Sequence, residues 1–270
     1  MTGYRDFAEP ANTGRWSLAD WERWVADQGL LINVWPDQPN VCGVCWGSTG
    51  VRYDGQHFET CYYCDQQAQL AGLVPVSYSW DGGLEGMLAR AKSTPAYRWL
   101  NLPLAAVLAR FLERHLGCIE RRFGEIDLVT LLPSNPQTRD GWDHLRHLYD
   151  RVTGWPGNWD PDLLVKRDAA GASATRGIVT PRFEVVQPLG LKGRRVLLID
   201  DTWTSGGTML SAAKSVADVT GVPAVAVTLG RQVYTKAQEN YLVDDINDMV
   251  APYQPKICAV HPNPRRHGRG

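Results

Sequence analysis

The sequence predicts an α/β fold: a doubly wound parallel sheet, preceded by a small four-cysteine ribbon and a helical connector. Three observations carry this. Short apolar runs at 126–132, 163–165, 196–199 and 224–229 are separated by stretches of helical periodicity, the pattern of successive βα units. The run at 196–199 opens V-L-L-I-D-D-T-W-T-S-G-G-T-M, so strand, acid pair, glycine-hydroxyl turn and helix follow in that order. Two C-x-x-C pairs with fifteen residues between them stand ahead of the sheet.

Taken in order, residues 1–14 show little periodicity. Ser17 then reads as an N-cap with Asp20 three residues on, and Leu18, Trp21, Trp24 and Val25 follow at helical spacing until Gly29. Trp21 and Trp24 form either a core-facing stripe or a docking face for a partner protein. Pro36 and Pro39 mark a linker. Between the cysteine pairs, Val51, Tyr53 and Phe58 flank Asp54-Gly55, a hairpin signal. Cys42, Cys45, Cys61 and Cys64 offer four thiolates, which close a tetrahedral shell and leave no open position. The expected cofactor is therefore a structural Zn²⁺ ion, with a redox dithiol or separate buried thiols as alternatives.

Residues 65–72 read as a short helix, 76–80 as a strand, and 82–92 as a helix ending on Lys92, which reads as a solvated helix-end lysine ahead of a functional one. A strong amphipathic helix spans 103–116 and is ended by Gly117; beyond it, Cys118 suits a small buried apolar position. The strand 126–132 runs into P-S-N-P-Q-T-R-D-G-W-D-H-L, a polar loop at the carboxyl edge of the sheet, where open α/β folds bind ligands. Ser134 and Arg139 can contact an anion there. A helix follows over 142–152, with His144 and His147 as surface or packing residues. The Ala-, Gly-, Ser- and Thr-rich stretch 168–180 suits a mobile lid between strands at 163–165 and 183–186. After residue 231 the chain turns polar. A helix over 234–249, an edge strand or packed extension over 256–260, and a basic tail are expected. The implied divisions are 1–39 as a helical extension, 40–72 as the ribbon, 73–231 as the α/β domain with its connector, and 232–270 as a C-terminal extension.

The turn at 202–208 has a specific chemistry. A helix N-terminus presents unpaired N–H groups and the positive end of the dipole, so it favours an anion. Gly206 and Gly207 let backbone approach a phosphate, and Thr204, Ser205 and Thr208 add hydroxyls. Asp200 and Asp201 would repel a phosphate unless they face an uncharged part of the ligand, as the 2′ and 3′ hydroxyls of a ribose would be. The stretch thus suits a ribose 5-phosphate. It contains neither G-x-x-x-x-G-K-[ST] nor G-x-G-x-x-G.

V-L-L-I-D-D-T-W-T-S-G-G-T resembles the phosphoribosyl pyrophosphate (PRPP) motif of the type I phosphoribosyltransferases. Thr204 stands where members that recognise 6-oxopurines carry Asp, which argues against a hypoxanthine-guanine enzyme. The order of four-cysteine ribbon, S-Y-S-W-D-G-G-L-E-G-M-L-A-R-A-K at 77–92, L-L-P-S with R-D-G-W-D-H-L, and then the motif is similar to the ComF family, over roughly residues 40–231. The resemblance implies a sheet of the type I phosphoribosyltransferase kind. It also implies transfer of phosphoribosyl from Mg²⁺-bound PRPP to a nitrogenous acceptor, with release of pyrophosphate. Asp200 and Asp201 would hold the ribose hydroxyls, residues 204–208 the 5′-phosphate, and Arg139 with Ser134 the pyrophosphate. Lys166, Arg167 or Arg176 would close over it. Arg139 is the single arginine before Gly141, where the family has several, and Trp203 replaces a smaller apolar residue, either packing inward or stacking on a ligand.

Composition narrows the alternatives. A net charge of −1 supplies no global basic field for nucleic acid. No apolar run is long enough for a membrane span and no signal-peptide core is present, so a cytoplasmic location is expected, where paired cysteines favour metal over disulfides. Two other readings remain: a ComF-like accessory of DNA uptake or processing that binds single-stranded DNA or a helicase partner, and a PRPP sensor without turnover.

Overall fold

The computed structural model describes residues 6–34, 41–65, 68–80, 82–134, 142–167, 182–233 and 253–260. Its strands are β1 (Leu70–Ser79), β2 (Leu128–Leu131), β3 (Leu164–Lys166), β4 (Phe183–Val185), β5 (Val196–Trp203) and β6 (Ala224–Gln232). Its helices are α1 (Leu18–Asp27), α2 (Tyr62–Asp65), α3 (Leu84–Ser93), α4 (Asn101–Phe123), α5 (His144–Tyr149) and α6 (Gly207–Thr220). Four strands form a parallel sheet in the order β1-β6-β5-β2, and helices pack against it, giving a mixed α/β architecture. β3 and β4 stay outside that sheet and pair antiparallel with each other. Ser215 Oγ of α6 donates to Phe183 O at 2.8 Å, and Ser211 Oγ accepts from Arg182 N at 2.9 Å, so the hairpin is seated on α6. The expected lid at 168–180, the helix at 234–249 and the basic tail lie outside the described residues.

β1 begins six residues earlier than its alternation suggests. Leu70, Leu73 and Val74 are buried, and both faces of the strand are covered, which erases a period-two signal. The helix expected over 65–72 is not found there: α2 lies earlier, over Tyr62–Asp65 at the second cysteine pair, and Leu70 already belongs to β1. Gly72 is needed in β1 because a Cβ there would lie 2.6 Å from the Phe123 ring. The outer edge of β1 is covered: Leu73 N donates to Val44 O at 2.9 Å and Tyr78 N to Ile32 O at 3.1 Å. The ribbon and the strand-like segment after α1 therefore complete the sheet's edge.

α4 runs through Gly117, where an end was expected, and stops at Gly124, whose φ of 96° suits glycine. A mid-helix glycine costs about 1 kcal/mol relative to alanine. Burial of Ile119 and partial burial of Phe123 in the extra turns offset that. α5 is shorter than the 142–152 helix expected, because the chain turns away after Tyr149; Asp143 caps its start. Both chain extensions dock on α4. α1 starts with the expected Ser17–Asp20 capping box and buries Trp21 and Val25. Its Glu22, 5% exposed, meets Arg114 Nη1 at 3.0 Å and Arg110 Nε at 3.8 Å. Residues 253–260 pack there without forming a strand; Gln254 exchanges hydrogen bonds with Asn33 at 2.7 and 2.9 Å. The aromatic contacts Trp16–Trp21, Trp21–Trp24 and Trp24–Trp99 run along the α1 region, which assigns Trp21 and Trp24 to packing. Among the described residues no helix is long and apolar enough to cross a membrane.

Removing Glu22 takes the carboxylate from the half-buried Arg114 guanidinium and leaves Arg110 paired with Glu113. Glu22→Ala is expected to lower the unfolding free energy by about 2–4 kcal/mol in urea titrations, whereas Arg23→Ala, on the exposed face of α1, should change it by less than about 0.5 kcal/mol.

Candidate functional site

The site grows from the carboxyl end of β5. Val196 to Ile199 are fully buried, and the strand continues through Asp200, Asp201 and Thr202 to Trp203. Side chains of consecutive strand residues alternate, so the two carboxylates diverge. Asp200 lines a small cleft of about 50 Å³ together with Thr202, residues 203–209 and Thr228 of β6. Asp201 is paired with Lys92 of α3, Nζ to Oδ1 2.7 Å, and its Oδ2 lies 3.6 Å from Nε2 of the fully buried His144 of α5.

The floor of the cleft is the N-terminus of α6. Gly206 is its N-cap, at φ 80° and ψ −8°, and no side chain caps the helix. The first intrahelical bond is Leu210 N to Gly206 O at 2.8 Å, so the N–H groups of Gly207, Thr208 and Met209 have no intrahelical acceptor. Thr204, Ser205 and Thr208 are exposed beside them. Trp203 packs inward, 4% exposed, against Gly206; a Cβ on Gly206 would lie 2.3 Å from the indole. This settles the two readings of Trp203 in favour of packing. It also gives the glycine two reasons, its left-handed φ and the ring above it. The buried hydroxyls of Thr202 and Thr228 have no hydrogen-bond partner among the described residues. Orphaned buried hydroxyls are uncommon, and here both belong to the lining of one cleft.

The charges suit an anion better than the bare acid pair suggests. Burial pushes the Asp200 carboxyl up to about 8, the neighbouring Asp201 adds to the rise, and Lys92 opposes it. Asp200 also accepts a hydrogen bond from Asp201 N at 2.8 Å. One acid thus holds its proton near neutrality, and the charge of the other is matched by Lys92.

The pyrophosphate loop expected at 133–145 is described only at its ends. Ser134 N and Oγ both donate to Asp143, at 3.3 and 3.1 Å, and Asp143 in turn accepts from Arg146 N. This clamp closes the base of the loop. Arg139 lies outside the described residues, as does Arg176. Lys166 and Arg167 belong to the β3 end of the hairpin, and Arg167 pairs with Glu184 at 3.0 Å.

The four ribbon cysteines converge as the spacing predicts. Their sulfurs lie within 4.8 Å of one another, with Cys45 Sγ to Cys61 Sγ at 3.8 Å, and none of them is in a disulfide. Four thiolates about 2.3 Å from a zinc ion stand about 3.8 Å apart at tetrahedral angles. The donor set therefore fits zinc and can bind it. The hairpin between the pairs is minimal, with a Val51–His57 bridge and Gly55 at φ 82°.

Two residues escaped the sequence reading. Lys92 was expected to be solvated; it neutralises Asp201 because α3 ends beside the end of β5. Arg231, at the end of β6, joins the ribbon to the cleft. Its Nε donates to Cys45 O at 2.7 Å, and its Nη1 lies 3.4 Å from both Trp203 O and Thr204 O. Gly47 admits it: a Cβ there would collide with the guanidinium. The available signal was position, since Arg231 follows a buried run at the carboxyl edge of the sheet.

No family model matches the chain, and no curated protein does. Among solved structures, a hypoxanthine phosphoribosyltransferase from Staphylococcus aureus is similar at 14% identity, over 46% of this chain and 71% of that one, with a TM-score of 0.27. An orotate phosphoribosyltransferase from Mycobacterium tuberculosis H37Rv, in complex with Fe(III) dicitrate, is similar at 15% identity, over 78% of this chain and 96% of that one, with a TM-score of 0.28. Scores this low do not by themselves establish a common fold.

Two measurements probe this geometry. Because its folded-state pKa is raised, the Asp200 carboxyl favours the fold fully only below its unfolded value, and that contribution is lost as pH rises from about 4 through about 8. Wild-type stability should therefore fall relative to Asp200→Asn across that window. Separately, Arg231→Met should speed amide hydrogen exchange in both 44–47 and 203–206 while zinc remains bound; faster exchange in one segment alone would break the proposed link.

Proposed function

We propose that the chain is a phosphoribosyltransferase-like protein of the ComF kind, with a type I, doubly wound domain that binds PRPP and transfers its phosphoribosyl group to a nitrogenous acceptor. The observation that carries this reading is the cleft at the start of α6. It combines unpaired helix N–H groups and exposed hydroxyls at 204–208 with Asp200 and the orphaned Thr202 and Thr228 hydroxyls. A 5′-phosphate accepts from the N–H groups and from Thr204, Ser205 and Thr208. The ribose hydroxyls then meet Asp200. Asp201 contributes through its pair with Lys92, which fixes the end of β5 and cancels a charge that would repel the phosphate.

PRPP is a Mg²⁺-bound ligand in this reading, and the ion would supply neutralising charge to the pyrophosphate group. Asp201 is already paired and Asp200 holds its proton near neutrality, so neither fits a resident Mg²⁺. The ion would arrive with PRPP as part of the substrate. The protein's own contribution is placement of the anomeric carbon and a fixed electrostatic surround. Ser134, held by Asp143, and Arg139, five residues on in sequence, are the proposed pyrophosphate contacts.

A second reading has an observation of its own. Tyr53, Phe58 and Tyr62 are exposed on the ribbon, and bases of single-stranded DNA stack on such rings. In that reading the protein is a non-catalytic DNA-processing accessory.

Calorimetry with Mg²⁺ and PRPP separates them. The expected result is binding by the zinc-loaded wild type, weakened at least tenfold, about 1.4 kcal/mol, by Asp200→Ala, which removes the group that meets the ribose hydroxyls. Ser205→Asp, at an exposed position, should abolish it by placing a carboxylate where the phosphate sits. If folded protein binds neither PRPP nor ribose 5-phosphate but retains an oligonucleotide in a Tyr53- and Tyr62-dependent way, the accessory reading replaces the first.

A further inference from the structure

A second cluster of metal-ligating side chains lies away from both the ribbon and the cleft. His115 and Cys118 stand three residues apart on one face of α4, and Cys258 reaches them from the 253–260 segment. Their ligand atoms lie within 4.8 Å of one another; His115 is 3% and Cys258 2% exposed, and Cys118 is half-buried.

The orientation of the imidazole is what points to a metal. His115 Nε2 lies 2.8 Å from Pro255 O. A carbonyl can only accept, so Nε2 carries the hydrogen. The neutral ring then presents the lone pair of Nδ1 to the cluster, 4.0 Å from Cys118 Sγ. A ring nitrogen donating to a backbone carbonyl while the other faces the ligand set is the usual second-sphere arrangement of a metal-binding histidine. Phe111, 4.8 Å away between ring centroids, limits rotation of the ring. Arg121 Nη2 lies 3.1 Å from Cys118 Sγ, a donor suited to a thiolate. With metal–sulfur bonds of about 2.3 Å and a metal–nitrogen bond of about 2.0 Å, tetrahedral geometry needs donor separations of about 3.5–3.8 Å. His115 Nδ1 and Cys118 Sγ need to close by about 0.5 Å to reach it, and the pairs with Cys258 by at most about 1.3 Å.

We infer that His115, Cys118 and Cys258 form a second transition-metal site, with zinc as the ion, two thiolates and one imidazole as ligands, and a fourth position open to water on the Cys118 side. Two thiolates with an imidazole select a thiophilic ion over calcium or magnesium. Binding replaces the two thiol protons by metal–sulfur bonds and releases those protons to solvent, with no redox change. The ion staples residues 253–260 to α4, beside the Asn33–Gln254 bonds that already hold that segment.

The test is metal content and ligation of the full chain, purified with reductant and saturated with zinc. Wild type is expected to hold two zinc ions per chain, and Cys258→Ser and His115→Gln one each. X-ray absorption on the wild type keeps the test independent of whether variants fold: averaging a four-sulfur site with a two-sulfur, one-nitrogen, one-water site gives about three sulfurs per zinc. One zinc per wild-type chain with about four sulfurs around it would overturn the inference. So would a Cys118–Cys258 disulfide as the principal form under reductant, or two zinc ions retained in Cys258→Ser.

Discussion

Arg231 is the constraint on which the candidate site depends. Its guanidinium holds five donors in a plane, aimed here at the neighbouring Gln232 O and at carbonyls from two other parts of the chain. One is Cys45 O, inside the first cysteine knuckle. Trp203 O and Thr204 O lie where the strand gives way to the turn into α6, and the adjacent Gln232 O accepts from Nη1 at 2.5 Å. The ribbon is therefore more than a small appended unit. It completes the edge of β1 through Val44 and supplies an acceptor that orients the cation under the turn. Whatever holds the four cysteines together also holds that acceptor in place.

The electrostatics at the end of β5 follow from strand geometry. Two consecutive carboxylates would be a poor companion to a phosphate if both were ionised and both faced it. The pleat sends them different ways. Asp201 meets Lys92 and His144, and Asp200 is desolvated beside the helix N-terminus, where its proton is retained. What remains facing the cleft is a dipole, a row of N–H groups and hydroxyls. Gly206 turns beneath the Trp203 ring, so the largely buried indole packs on the turn at the lining of the cleft.

Local features were legible in the sequence because their causes are local. The Ser17–Asp20 capping box, the Gly55 turn and the turn into α6 each depend on residues a few positions apart, and the four-cysteine convergence on two C-x-x-C pairs of fixed spacing. The failures have the opposite character. Gly117 looks like a helix end until the burial of Ile119 is known; β1 loses its alternation because both faces are covered. Lys92 and Arg231 each act on a partner more than twenty residues away, across the sheet edge, and no periodicity reports that. His115 and Cys258 come together only through the docking of the last described segment on α4.

The most direct measurement is a crystal structure of the zinc-loaded chain grown with Mg²⁺ and PRPP. The account predicts the 5′-phosphate against the N–H groups of Gly207 and Thr208, the ribose hydroxyls on Asp200, and Lys92 still paired with Asp201. A ligand bound elsewhere, with the turn at 204–208 empty, would contradict it.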